Sequence, residues 1–196
     1  HLEVSAPTLE TTGFTRPYWL YVVAVGLLGA GYADFPLIAY HFGKTALLPA
    51  DWIPLFYAVA MGVDAVAALV LGRLFDRLGM RVIMGTAVLS AFFAPLVFWG
   101  GVKLALLGMV LWGIGMGSLE SIIKAALAEM VPRDRRATGY GLFNAGFGLF
   151  WFLGSALMGL LYEFSMGALV AFSVTAQLLA IPFFLAVSRQ ACLQPR

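Results

Sequence analysis

The chain has 196 residues, 62% of them hydrophobic and 11% charged, with a mean hydropathy of +0.92. A soluble domain carries about 25% charge and 45–50% apolar residues, so this composition belongs to a membrane protein. Twelve Lys and Arg against ten Asp and Glu leave a formal charge of +2, too little for a nucleic-acid partner, and the single cysteine, Cys192, excludes an intrachain disulfide framework.

Residues 1–17 are polar, carry Glu3 and Glu10, and show neither an initiator Met nor a signal-peptide pattern. They read as a cytoplasmic linker, and the chain is expected to be a piece of a longer polypeptide. Six apolar stretches follow, at about Tyr18 to Tyr40, Trp52 to Gly72, Val82 to Gly100, Leu104 to Met130, Ala137 to Tyr162 and Met166 to Val187. A helix rising 1.5 Å per residue needs about 20 residues to cross a hydrocarbon core roughly 30 Å thick. The stretches match that length and are apolar on every face, which excludes the ten-residue alternation of a β-barrel. The expected fold is all-α: a six-helix transmembrane domain over 18–188, then a cytoplasmic tail over 189–196.

With both termini on one side, that side collects Arg16, Arg73, Arg77, Arg81, Arg133, Arg135, Arg136, Arg189 and Arg196, and the other only Lys44 and Lys103. Positive charge is retained on the inner face, so both termini are expected in the cytoplasm, in a cell membrane. Tyr18, Trp19 and Tyr140 then fall at the inner edge, and Tyr40, Trp52, Trp99 and Tyr162 at the outer.

An ionised side chain near the bilayer centre costs roughly 2.5–3.5 kcal/mol even on the lenient insertion scale, so each one needs a partner or an aqueous cavity. Asp34 comes first. Pro36, two residues on, removes a backbone donor and frees the Tyr32 carbonyl, so the first span is expected to bend there, about 9 Å below the outer boundary. Asp64 lies about 18 Å down the second span, near mid-membrane. Ala60 and Ala68 share its face, which suits either a close helix contact or a polar cavity.

Between the second and third spans stands Gly72-Arg73-Leu74-Phe75-Asp76-Arg77-Leu78-Gly79-Met80-Arg81. The Asp76 carboxylate can accept from unpaired N–H groups at a neighbouring helix N-terminus, and Arg73, Arg77 or Arg81 can pair with Glu129. Gly72 and Gly79 would permit close approach and a tight turn. Together they form a latch that biases two packed bundles toward one arrangement.

In the fourth span, Gly113, Gly115 and Gly117 read as helix-approach or flexing positions; no strand precedes them, which excludes a nucleotide fingerprint. Glu120 and Lys124 are four apart on one face. They form either an internal ion pair or a cavity-facing pair that binds an ionic substrate group or lets Glu120 carry a proton. In the fifth span, Ala137, Gly141 and Ala145 read as a packing stripe. Phe143, Asn144, Trp151 and Gln177 are candidate substrate contacts.

The loop Gly72 to Arg81 resembles the G-x-x-x-D-R-x-G-x-R loop of the major facilitator superfamily (MFS) of transporters, and Glu129, Pro132, Arg133, Arg136 and Gly139 resemble the family's passage between its fourth and fifth helices. No arginine lies in the Trp112 to Gly117 run and no proline in the fifth span, so the resemblance implies the carboxyl-terminal six-helix half. It further implies a secondary transporter working by alternating access. Its expected partners are a small solute, a coupling proton or ion, membrane lipid, and a missing amino-terminal half or a second copy. The family's first and fourth spans line the cavity, which favours Asp34, Glu120 and Lys124 as coupling residues over Asp64. No cofactor and no metal are expected, and no residue set suits covalent catalysis. The rival within the class is a half-size homodimer, and the rival outside it a non-transporting scaffold or sensor.

Overall fold

The computed structural model describes residues 13–192, with side chains through residue 190; most of the expected linker, residues 1–12, and the last four residues lie outside it. All regular elements among the described residues are helical, and six segments are long and apolar enough to cross a membrane. The protein is a multi-pass membrane protein.

The first span, Arg16–Lys44, consists of α1 (Arg16–Ala30) and α2 (Phe35–Lys44). The second is α3 (Ile53–Leu78), entered through a 3-10 turn at Ala50–Trp52. The third joins α4 (Met80–Ala91) to α5 (Phe93–Trp99), where Pro95 withholds the donor that would bond the Ala91 carbonyl. The fourth runs through α6 (Val102–Gly117), a π-helical turn at Ser118–Ile122, and α7 (Ile123–Met130). The fifth is α8 (Arg136–Phe164) and the sixth α9 (Met166–Cys192). The helices overrun the apolar stretches at several ends. α3 continues past Gly72 to Leu78 because Arg73 and Arg77 end the apolar window without ending helical propensity, and only Gly79 stops the helix.

α1 is the most deeply set element and packs on both α8 and α9. Tyrosines of the first span also tie it to its neighbours: the Tyr18 hydroxyl donates to the Gly139 carbonyl of α8 at 2.7 Å, Tyr21 to Ile123 of α7 at 2.6 Å, and Tyr32, just past α1, to Trp112 of α6. Inside a bilayer no water satisfies a buried hydroxyl, so main-chain carbonyls on neighbouring spans take that place. Where two backbones meet, glycine is required. A Cβ on Gly113 would strike the Ala60 carbonyl, and one on Gly117 would lie 2.8 Å from the Asp64 carbonyl oxygen, so α6 lies directly on the Ala60, Asp64 and Ala68 face of α3. The expected close contact is found, and these glycines serve approach.

The stripe expected on the fifth span is not internal packing. Ala137, Gly141 and Ala145 are all exposed, because α8 turns its opposite side, including Gly139, Phe143, Gly154 and Met158, to the bundle. The second and fifth spans are the least covered of the six.

The loops after the second and fourth spans and both ends of the domain lie at one end of the bundle, here the Arg-rich end. Residues Thr15, Asp76, Glu129 and Ser188 line a single cavity there.

Candidate functional site: the break in the first span

The main chain leaves helical geometry between Gly31 and Asp34. Pro36 cannot donate, and Asp34, at φ −67° and ψ 147°, is the residue before α2. A broken helix inside a bilayer exposes carbonyls, and here side chains from other spans take them up. Ser173 Oγ donates to the Gly31 carbonyl at 2.6 Å with Gln177 Nε2 beside it at 3.3 Å, and Trp112 Nε1 donates to the Ala33 carbonyl at 2.9 Å. Gln177 also accepts from Ser90 Oγ at 2.9 Å and is fully buried, so it is a structural brace rather than the substrate contact expected of it.

The half-buried Asp34 carboxylate accepts from Trp151 Nε1 at 2.6 Å and from Ser155 Oγ at 2.5 Å, both on α8. Both donors are neutral. Among the described residues no Lys, Arg or His stands within ion-pair reach of it.

Asp64 lies on the contact between α3 and α6. Its Oδ1 is buried without a hydrogen-bond partner, and Glu120 is close enough to act on it electrostatically. The expected ion pair between Glu120 and Lys124 is absent: both are exposed and no ion pair joins them. The interval between them runs through the π turn at Ser118–Ile122, so their four-residue spacing is not that of a regular α-helix.

At the Arg-rich end the contacts expected of a latch are not made. Asp76, Arg81 and Glu129 line a cavity of about 1090 Å³ between the end of α3, the start of α4 and the end of α7. No ion pair among the described residues involves Arg73, Arg77, Arg81 or Glu129. Asp76 caps no helix: α4 starts at Gly79 without a side-chain cap.

The Major Facilitator Superfamily family pattern matches residues 18–191, which is nearly the whole chain. The chain belongs to the major facilitator superfamily. It is also similar to uncharacterized proteins of Mycobacterium bovis and of two strains of Mycobacterium tuberculosis, each 33% identical over 170 residues. Those matches cover 87% of this chain and 42% of each relative, so the chain spans less than half the length of the curated relatives it matches.

Within this MFS loop the two glycines differ. Gly79 adopts φ +58° and ψ −137°, a conformation closed to side-chain-bearing residues, and turns the chain between α3 and α4. Gly72 sits inside α3 with open space where a Cβ would stand, so the expectation of a turn or close approach there is overturned.

Sequence reasoning overlooked the opposite end of this MFS unit. Lys44 Nζ lies 3.2 Å from Glu163 Oε1 and over the rings of Tyr40 and Tyr162, 5.2 and 5.0 Å from their centroids. Buried His41 Nδ1 meets the Tyr162 hydroxyl at 3.0 Å. The cluster ties α2 to the end of α8. The signal available was charge of opposite sign at the outer ends of the first and fifth spans. Ser155 and Trp112 were likewise unflagged, Ser155 because a lone serine on a lipid-length helix carries no pattern.

Proposed function

We propose that this chain forms one six-helix half of a secondary transporter that moves a small solute by alternating access, driven by a proton or ion gradient, with its Arg-rich end in the cytoplasm. The observation carrying this reading is the break at Gly31 to Asp34: a carboxylate with no cationic partner, held by neutral donors at a joint in a membrane span. Discontinuous spans supply solute and ion sites in transporters, since unwound backbone is tolerated only beside protein or a water-filled cavity.

The exposed faces of the second and fifth spans are the surfaces on which the other half would close, and relatives more than twice as long leave room for it in one polypeptide. The relatives' length favours a half fused to another over a homodimer, and the carboxyl-terminal assignment rests on the sequence of the fourth and fifth spans. Asp76, Arg77, Arg81 and Glu129, with the turn at Gly79, act as a cytoplasmic latch that is open in this arrangement and closes when the cavity between them collapses. Asp64 and Glu120 are further coupling groups, and Lys124 stands free to meet an anionic group.

The test is gradient-driven uptake of a solute panel into vesicles holding the full-length native polypeptide and its Asp34→Asn, Asp64→Asn and Glu120→Gln variants. Loss of flux in Asp34→Asn is expected. Unchanged flux in all three variants favours a scaffold and removes these sites.

A further inference from the structure

We infer that the break in the first span is a binding site for an organic ammonium cation, the positive group sitting on Asp34 and its apolar body on the surrounding rings. The inference rests on the transport reading for its setting, but its evidence is the chemistry of the wall itself.

Charge comes first. Asp34 has two hydrogen bonds from neutral groups and no counter-ion among the described residues, so an ionised carboxylate here leaves a full negative charge unmatched in a membrane span. Two neutral donors hold the carboxylate in place and leave lone pairs on both oxygens to receive a cation.

The second observation is independent of charge. Aromatic rings from the second, fourth and fifth spans gather around the break, with Tyr57, Trp112 and Trp151 packed against its own Tyr32 and Phe35. Trp151 contacts Tyr32 at a centroid distance of 6.0 Å and Phe147 at 5.3 Å, while Phe35 lies 4.3 Å from Tyr57. Tyr57 is 39% exposed, and Phe35, Phe147 and Trp151 are half-buried, so these rings are not sealed in the core, and Trp151 is bonded to the carboxylate itself. Ring faces attract a cation that has shed part of its hydration, and a quaternary or tertiary ammonium sheds it most cheaply. A metal ion would instead need several oxygen ligands; among the described residues no three His, Cys, Asp or Glu side chains cluster, and the Gly31 and Ala33 carbonyls are already taken by Ser173, Gln177 and Trp112. An anionic substrate would meet only repulsion at this wall.

Benzyltrimethylammonium is the probe. Its uncharged carbon isostere, neopentylbenzene, has the same shape and no charge. Binding of each is measured calorimetrically to the full-length native polypeptide in lipid nanodiscs, against empty nanodiscs. The cation is expected to bind saturably and the isostere to fail to compete with it. Asp34→Asn is expected to weaken the cation tenfold or more, and Tyr57→Ala, which truncates a partly exposed ring and spares the core, by about two- to fivefold. No saturable cation binding, equal competition by the isostere, or unchanged affinity in Tyr57→Ala overturns the proposal. Cation binding without gradient-driven uptake keeps the site and removes the transport reading; uptake of other solutes without cation binding does the reverse.

Discussion

The two ends of this six-helix unit are built on opposite principles. At the end near Lys44, α2 and α8 are joined by an ion pair, a buried His41 to Tyr162 hydrogen bond and edge-to-face rings. At the Arg-rich end, where most of the charge resides, Asp76, Arg81 and Glu129 face a cavity of about 1090 Å³. The density of charge therefore says nothing about contact. What joins two spans is a partner at the right distance: a handful of groups tie α2 to α8 at one end, while the charge-rich end borders a cavity.

Substitutions at the two ends sharpen that contrast. The largest effect is expected at the Arg-rich end, from Gly79→Val: a β-branched residue at φ +58° strains the turn, and unfolding in detergent should show a loss of about 1–3 kcal/mol. Next comes the end near Lys44. Tyr162→Phe leaves buried His41 Nδ1 without its partner, for an expected loss of about 1–2 kcal/mol in the same measurement. Gly72→Ala should reverse the sign, stabilising α3 by about 0.5–1 kcal/mol, because the position is helical with open space for a methyl group. A loss of stability there would restore the turn role that the structure denies it. Smallest of all is Lys44 with Glu163. Their side chains are 45% and 61% exposed, so a double-mutant cycle should give a coupling that fades as salt is raised; a salt-insensitive coupling would mean that the ion pair, and not His41 with Tyr162, holds that end.

Much of the fold was legible because apolar length and proline chemistry act locally. Six spans follow from uninterrupted hydropathy, and the bend beside Asp34 follows from Pro36 alone. Ala60, Asp64 and Ala68 were readable as one face because α3 is regular there, and that face does meet α6. Glu120 and Lys124 fall where that regularity fails, across the π turn at Ser118–Ile122, and there four-residue spacing is accompanied by no ion pair. Trp151 and Ser155 lie 117 and 121 residues from Asp34, and Tyr162 lies 121 from His41. Pairings across such separations depend on how spans rotate against each other, which no single span records. The stripe Ala137, Gly141 and Ala145 shows the same limit: small residues reveal that something can approach, and not from which side.

One contact governs how the bundle can move. A Cβ on Gly154 would overlap the Ala30 backbone, so the first and fifth spans cross main chain to main chain just before α1 ends. Sliding along such a crossing would drive any neighbouring side chain into peptide groups, whereas swivelling about it disturbs almost nothing. The crossing therefore works as a fulcrum one residue from the joint, and a small swing of α8 about that pivot carries Trp151 and Ser155, with the carboxylate they hold, as the short arm of a lever.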